Sequence, residues 1–351
     1  MLRCEAAARP GGTCGVAGAG IIAPLVSELH TFLFDGQPVR GMLVRLTDAW
    51  QEALARRDQA EERFPPPVRA LLGEMAAAAV LMQANLRFDG ALVLQMLGDG
   101  PVKLAVVEAQ RDLAFRATAK VVGDVARDAR LEALLNVHGQ GRCAITLDPR
   151  GRQPGRQPYQ GVVPLHGDAR EPLQDLAQVL EHYMLQSEQL DTRLVLAAND
   201  TIAAGLLIQR LPSTGERNLS GGAVLRDEDT IGRNEDYNRI AHLASTLTRT
   251  ELLTLDADTI LRRLFWEERV SRFEPRSGAD GPRFECSCSR ARVGAMLKGL
   301  GRAEIDDIVA ERGDVEVACE FCGQLYRYDR VDVGELFTPE RDQPPGSRRL
   351  N

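Results

Sequence analysis

The stretch Ala91-Leu92-Val93-Leu94-Gln95-Met96-Leu97-Gly98-Asp99-Gly100-Pro101-Val102-Lys103-Leu104-Ala105-Val106-Val107-Glu108 decides the fold class. Two apolar runs of strand length flank Gly98-Asp99-Gly100-Pro101, a cluster of turn residues. A connection that short closes an antiparallel hairpin, because a parallel pair needs a crossover of about a dozen residues or more. Outward from it, further short runs bounded by Gly, Asp and Pro read as strands of the same antiparallel sheet: Leu113 to Lys120, Cys143 to Leu147, Gly161 to Leu165, Arg193 to Ala197 and Ile202 to Leu211. Helical spacing of apolar residues runs through Pro38 to Arg57 (Val39, Leu43, Leu46, Trp50) and Pro67 to Leu86 (Val68, Leu71, Leu72, Met75, Ala79, Met82). Pro65-Pro66-Pro67 opens the second, since proline fits a first helical turn. Helices are also expected at Val125 to Val137 and Pro172 to Gln189. Residues 28–212 therefore read as an α+β domain, mixing helices with an antiparallel sheet and large enough to bury its own core.

The flanks differ in character. Residues 1–27 read as a disordered extension: Pro10 to Ser27 is uncharged but broken by glycines and Pro24, so it suits neither a spanning helix nor a signal peptide. Pro212 to Asn234 is rich in Gly, Ser, Asn and charge and lacks periodicity, giving a loop over 213–235. Residues 236–275 return to helical spacing (Ile240, Leu243, Leu247; Leu252, Leu253; Ile260, Leu261, Leu264, Phe265), with Thr248 and Glu251 placed as a capping box. This helical linker is too small to fold alone and must lay its apolar stripe, Phe265 and Trp266 included, on the N-terminal sheet. Residues 336–351 read as a frayed tail.

Between the linker and the tail, residues 281–335 carry Cys286-x-Cys288 and, thirty residues on, Cys319-x-x-Cys322. Two close thiolate pairs deliver four sulfurs to one tetrahedral zinc ion. Helices ending at Gly301 and Gly313, and a hairpin of Val315 and Val317 with Leu325, Tyr326 and Tyr328, complete a small zinc module. It has few large aliphatics, so the metal should decide whether it folds. From spacing alone the site is either purely structural or a redox switch. Sulfurs one residue apart bridge only at the edge of the usual disulfide range, because extended residues rise ~3.3 Å each and the Cα separation spans ~4.4–6.8 Å.

Composition narrows the function. The 351 residues carry a net charge of −7, with no overall cationic field for nucleic acid or anionic lipid. Seven cysteines in a chain this long argue against a secreted disulfide scaffold and for the reducing cytosol. Cys143 sits in an apolar run and reads as an inert buried thiol; Cys4 and Cys14 lie in the extension. His30, His138, His166, His182 and His242 are scattered without a nucleophile partner, so no hydrolase is expected. None of the lysines, Lys103, Lys120 and Lys298, sits in a Walker loop, so ATP-driven action and enzymatic activity are not expected. Four thiolates also leave no open zinc position for an activated water.

The four-cysteine pattern, in Phe284-Glu285-Cys286-Ser287-Cys288-Ser289 and Cys319-Glu320-Phe321-Cys322-Gly323, resembles that of the thirty-three-kilodalton heat-shock protein family, the redox-regulated holdase chaperones. The resemblance extends through Val39-Arg40-Gly41, Trp50, Pro65 to Arg69 with Leu71-Leu72-Gly73-Glu74, Gly98 to Pro101, Tyr159-Gln160-Gly161 and Gln186-Ser187-Glu188-Gln189-Leu190, spanning roughly Glu28 to Phe337. It implies one zinc per chain in the reduced state on Cys286, Cys288, Cys319 and Cys322, and redox-active disulfides Cys286-Cys288 and Cys319-Cys322 after oxidation. It further implies an unfolding linker, ATP-independent holding of unfolding clients, and a homodimer. The alternative is a zinc-ribbon nucleic-acid-binding or regulatory protein with a purely structural site. The module's eight Lys/Arg against eleven Asp/Glu weigh against that alternative.

Overall fold

The Ala-rich helix behind the three prolines organises the molecule. The computed structural model describes residues 26–59, 63–86, 88–151, 158–211 and 232–338; the expected extension (residues 1–25, with Cys4 and Cys14), most of the loop and the tail beyond residue 338 lie outside them. α2 (Pro66–Asn85) starts at the triproline as the sequence suggests, and every residue from Leu71 to Gln83 is buried. A helix apolar all round has to be covered all round. It is enclosed between two sheets, where the sequence had suggested one.

The first sheet runs β10 (Val270–Arg272), β1 (Glu28–Phe34), β2 (Val39–Leu46), β9 (Ala203–Arg210), β8 (Thr192–Ala198), with β11 (Arg276–Ser277) also on β1. The second runs β12 (Arg283–Phe284), β5 (Ala114–Val121), β4 (Val102–Gln110), β3 (Gly90–Leu97), β6 (Arg142–Pro149), β7 (Tyr159–Pro164). The β3–β4 hairpin is antiparallel as its turn requires, with Leu97 opposite Leu104. The β12–β5 pair is parallel, made by a segment far downstream in the chain. α4 (Leu176–Glu188) covers β7 and β8. Among the described residues no helix is long and apolar enough to cross a membrane.

Three local readings need correction. Pro38 to Arg57 is not one helix but β2 followed by α1 (Asp48–Gln59). Met42, Val44 and Leu46 of β2 face α2, while Val39 and Leu43 face the other side, so burial on both faces erased the alternation that marks a strand. Gly41 belongs to this packing: a Cβ there would lie 2.0 Å from the Phe32 ring. The helix expected over Val125 to Val137 shrinks to α3 (Leu131–Leu135), where Leu131, Leu134 and Leu135 supply all the buried residues. Trp266 does not pack on the sheet. It is the C-cap residue of the last linker helix and 74% exposed, whereas its neighbour Phe265 is buried.

The linker helices are α5 (Glu235–Ser245), α6 (Arg249–Thr254) and α7 (Ala257–Phe265), capped by Asn234, by the Thr248–Glu251 capping box and by Asp256. All are shorter than the ~12–15 residues an isolated helix needs. They hold because Ile240, Leu252, Ile260, Leu264 and Phe265 bury against Phe32, Phe34, Leu43, Leu206 and Ile208, on the face of the first sheet opposite α2. Phe265 meets Phe34 edge to face at 5.0 Å. Two arginines bolt this layer down. Buried Arg45 of β2 donates to the carbonyls of Leu252 and Leu255 at the end of α6, and Arg249 of α6 donates to Leu196 O (3.0 Å) and to Glu74 of α2 (2.6 Å).

Burial is the largest influence on Glu74 and raises its pKa, with Arg249 opposing it. An acid whose folded pKa exceeds its unfolded value fits the fold best when protonated, so the cost of losing Arg249 is largest at neutral pH and fades as pH falls through the raised folded pKa. Arg249→Ala should weaken protection of α6 and α7 in hydrogen exchange by on the order of 2 kcal/mol at pH 7, less than for a fully buried pair because the arginine is 55% exposed, and by clearly less at pH 5. An equal loss at both values would contradict the role given to Glu74.

Candidate metal centre

Cys286 follows β12 after one residue, Glu285, and Cys288 precedes Ser289, the N-cap of α8 (Arg290–Leu300), whose hydroxyl accepts from Arg292 N. α9 (Arg302–Arg312) ends at Gly313 and leads into the hairpin of β13 (Asp314–Ala318) and β14 (Leu325–Asp329). Its turn carries Cys319 and Cys322: Gly323 N donates to Cys319 O, Cys319 N to Gln324 O, and Gly323 takes the left-handed φ of 70° that closes it. α10 (Arg330–Phe337), unread in the sequence although Asp329 and Asp332 form a capping box, closes the module. The core beneath is small: Leu297, Ile305, Val309, Val315, Tyr328 and Val333.

These elements bring the four sulfurs within 4.8 Å of one another, and no histidine or carboxylate joins them among the described residues. The close approaches run between the pairs, Cys286 to Cys319 at 3.6 Å and Cys288 to Cys322 at 3.4 Å. A tetrahedral zinc with Zn–S of about 2.3 Å has sulfur–sulfur edges of about 3.8 Å, so the donor set and its spacing fit that ion. Four thiolates would hold it closed, as a structural rather than a hydrolytic site.

The protons on these sulfurs are unevenly held. The hydrogen bond between Cys286 and Cys319 is the main influence on both, bringing Cys319 down to about 4 and raising Cys286; burial pushes Cys322 up to about 11. Metal uptake must therefore displace protons at least from Cys286 and Cys322, and affinity rises with pH. Zinc titrated into the reduced, metal-free chain should bind at one ion per chain with a heat that depends on the buffer's ionisation enthalpy; a buffer-independent heat would contradict this proton inventory.

The centre rests against the N-terminal residues. Phe284 packs edge to face on Phe115 of β5 at 6.4 Å. Glu320 O, between the second cysteines, accepts from Arg57 of α1 (2.8 Å) and from the Thr118 hydroxyl of β5. The Arg116 guanidinium lies 4.1 Å over the Phe321 ring, pairs with Glu108 through Nε at 3.0 Å, and faces the Cys286 thiol. The Tyr326 hydroxyl of β14 donates to Cys288 Sγ at 3.2 Å. The sequence shows Phe284 and Phe321 beside the cysteines and Tyr326 in the hairpin, but it does not show their contacts, nor those of Arg57, Arg116 and Thr118. Cys143 is buried apart from the centre and held protonated by burial, its pKa raised to about 12, in keeping with an inert thiol.

The family model described as Hsp33 protein matches residues 27–329. The chain belongs to the Hsp33 family. It is 46% identical over 311 residues to the 33 kDa chaperonin of Chromobacterium violaceum, covering 88% of this chain and 93% of that one. To the 33 kDa chaperonin of Methylobacillus flagellatus it is 41% identical over 318 residues, covering 90% and 96%. The crystal structure of the 33 kDa chaperonin from Thermotoga maritima shares the fold, with a TM-score of 0.66 at 20% identity over 88% of this chain and 97% of that one. The family and its relatives' names make this chain a chaperone, as the resemblance implied.

Proposed function

We propose that this chain is an ATP-independent holdase whose activity is set by the oxidation state of Cys286, Cys288, Cys319 and Cys322. In the reduced state the four thiolates hold one zinc ion and the chaperone is silent. An oxidant converts Cys286-Cys288 and Cys319-Cys322 to disulfides, whose sulfurs can no longer hold a metal as the four thiolates would, and the linker melts. The sulfurs lie closest across the pairs, so bridging within them must rearrange the centre, and a module with so small a core does not keep its shape through that change. The working units are then residues 28–212, the linker 236–275 and the switch 281–335.

The observation that carries this reading is the position of the centre, which begins two residues past the end of the strand that ties it to the second sheet and lies downstream of helices too short to stand alone. Melting uncovers the apolar side of α5–α7 and the face of the first sheet beneath it, a patch of the kind that binds unfolded chains. Exposed Trp266 and Phe273 beside it add to that surface. We place the chaperone in the cytoplasm as a homodimer acting on unfolding proteins. Edge strand β7, paired on one side only among the described residues, offers a docking edge. The module's net charge of −3, from its eight basic and eleven acidic residues, favours neither nucleic acid nor a membrane surface.

Light scattering from a chemically unfolded client, diluted into this chain without nucleotide, tests the proposal. The peroxide-treated chain should suppress aggregation near stoichiometric amounts and the reduced, metal-loaded chain should not. Equal suppression by both forms would overturn redox control; suppression by neither would overturn the holdase.

A further inference from the structure

Beside the metal centre, a cleft of about 560 Å³ opens between α1 and the module, lined by Glu52 and Arg56 on one side and by Cys286, Cys288, Cys322 and Tyr326 on the other. Cys319 is not part of its wall. A small solute in this cleft meets the sulfurs of Cys286, Cys288 and Cys322, and at Cys288 alone of the three it also meets the Tyr326 hydroxyl. A ligating cysteine has no hydrogen to give, so the phenol is the donor in the 3.2 Å contact. The ring is fixed by the hairpin, where Tyr326 pairs with Val317, and by packing on the module's core.

We propose that Tyr326 is a positioning residue that restrains Cys288 against peroxide. The inference rests on the redox reading above and adds to it which residue sets the threshold. In the oxidation, the Cys288 thiolate forms a bond to one peroxide oxygen, the O–O bond breaks, and the departing hydroxide takes a proton and leaves as water. The Cys286 thiolate then attacks the resulting sulfenic sulfur and expels a second hydroxide, which is also protonated to water. Two thiolates lose two electrons and one peroxide gains them. A thiolate already bound to a cation needs no help in losing its proton, so of the two ways in which a hydrogen bond acts on a thiol only one remains here. It draws density from the sulfur, and nucleophilicity falls with basicity along a slope of about 0.4–0.5. The hydroxyl also occupies one of the directions from which peroxide reaches Cys288.

Tyr326→Phe removes the hydroxyl and keeps the ring. With the full-length, reduced, zinc-loaded chain, hydrogen peroxide is added and released metal is followed with a chromogenic chelator. The variant should release metal roughly three- to fivefold faster per unit of peroxide, while binding one zinc and yielding it to the chelator without peroxide at the wild-type rate. An unchanged or slower peroxide reaction would overturn the proposal. So would an equal acceleration without peroxide, which would make Tyr326 a structural support only. Wild-type chain that binds no zinc, or keeps it through oxidation, would remove the redox reading itself; wild-type release with no difference in the variant would remove this inference alone.

Discussion

Arg283 and Phe284 pair in parallel with Ala114 and Phe115, and on that two-residue ladder the four-cysteine module, the linker and the second sheet all converge. Glu285 N donates to Phe115 O at 3.0 Å, and Arg283 forms an ion pair with Asp112. So short a strand does not persist by itself. It is held from both ends, upstream where β10 and β11 are pinned to β1, and downstream where Cys286 enters the metal centre. The same β5 segment receives the second cysteine pair through Thr118 and Arg116, so both arms of the centre stand on one strand.

The layers above depend on that junction through their size. Each large side chain in the linker's apolar face contributes about 1.5–3 kcal/mol on burial, but ordering each of its residues costs roughly 1–2 kcal/mol of backbone entropy. The margin is narrow, and Arg45, Arg249 and the strands that follow hold α5–α7 in register. The central layer is of another kind. α2 is enclosed chiefly by two sheets, and none of Cys286, Cys288, Cys319 and Cys322 belongs to the core around it. A protein built this way can lose its outer layer without losing its core.

The legible parts of the sequence were those set by local chemistry. Ligand spacing, the Gly98–Pro101 turn, the triproline helix start and the Thr248–Glu251 capping box each fix structure within a few residues. β2 was not legible because both its faces are buried, and the second sheet was not separated from the first because strands enclosing one helix carry the same apolar signal. Trp266 was misplaced because the apolar stripe of α7 ends one residue before it. The contacts of Arg57, Arg116 and Thr118 with Glu320 and Phe321 join residues more than two hundred positions apart, and no periodicity records them.

Hydrogen exchange on the full chain, reduced and zinc-loaded against peroxide-treated, tests most directly whether the metal centre controls the linker through this junction. The account predicts loss of protection in the module and, together with it, at Arg283–Glu285, β10, β11 and α5–α7, with α2, β2, β3, β4 and β9 still protected. Loss confined to residues 286–338, with the junction and linker unchanged, would contradict it.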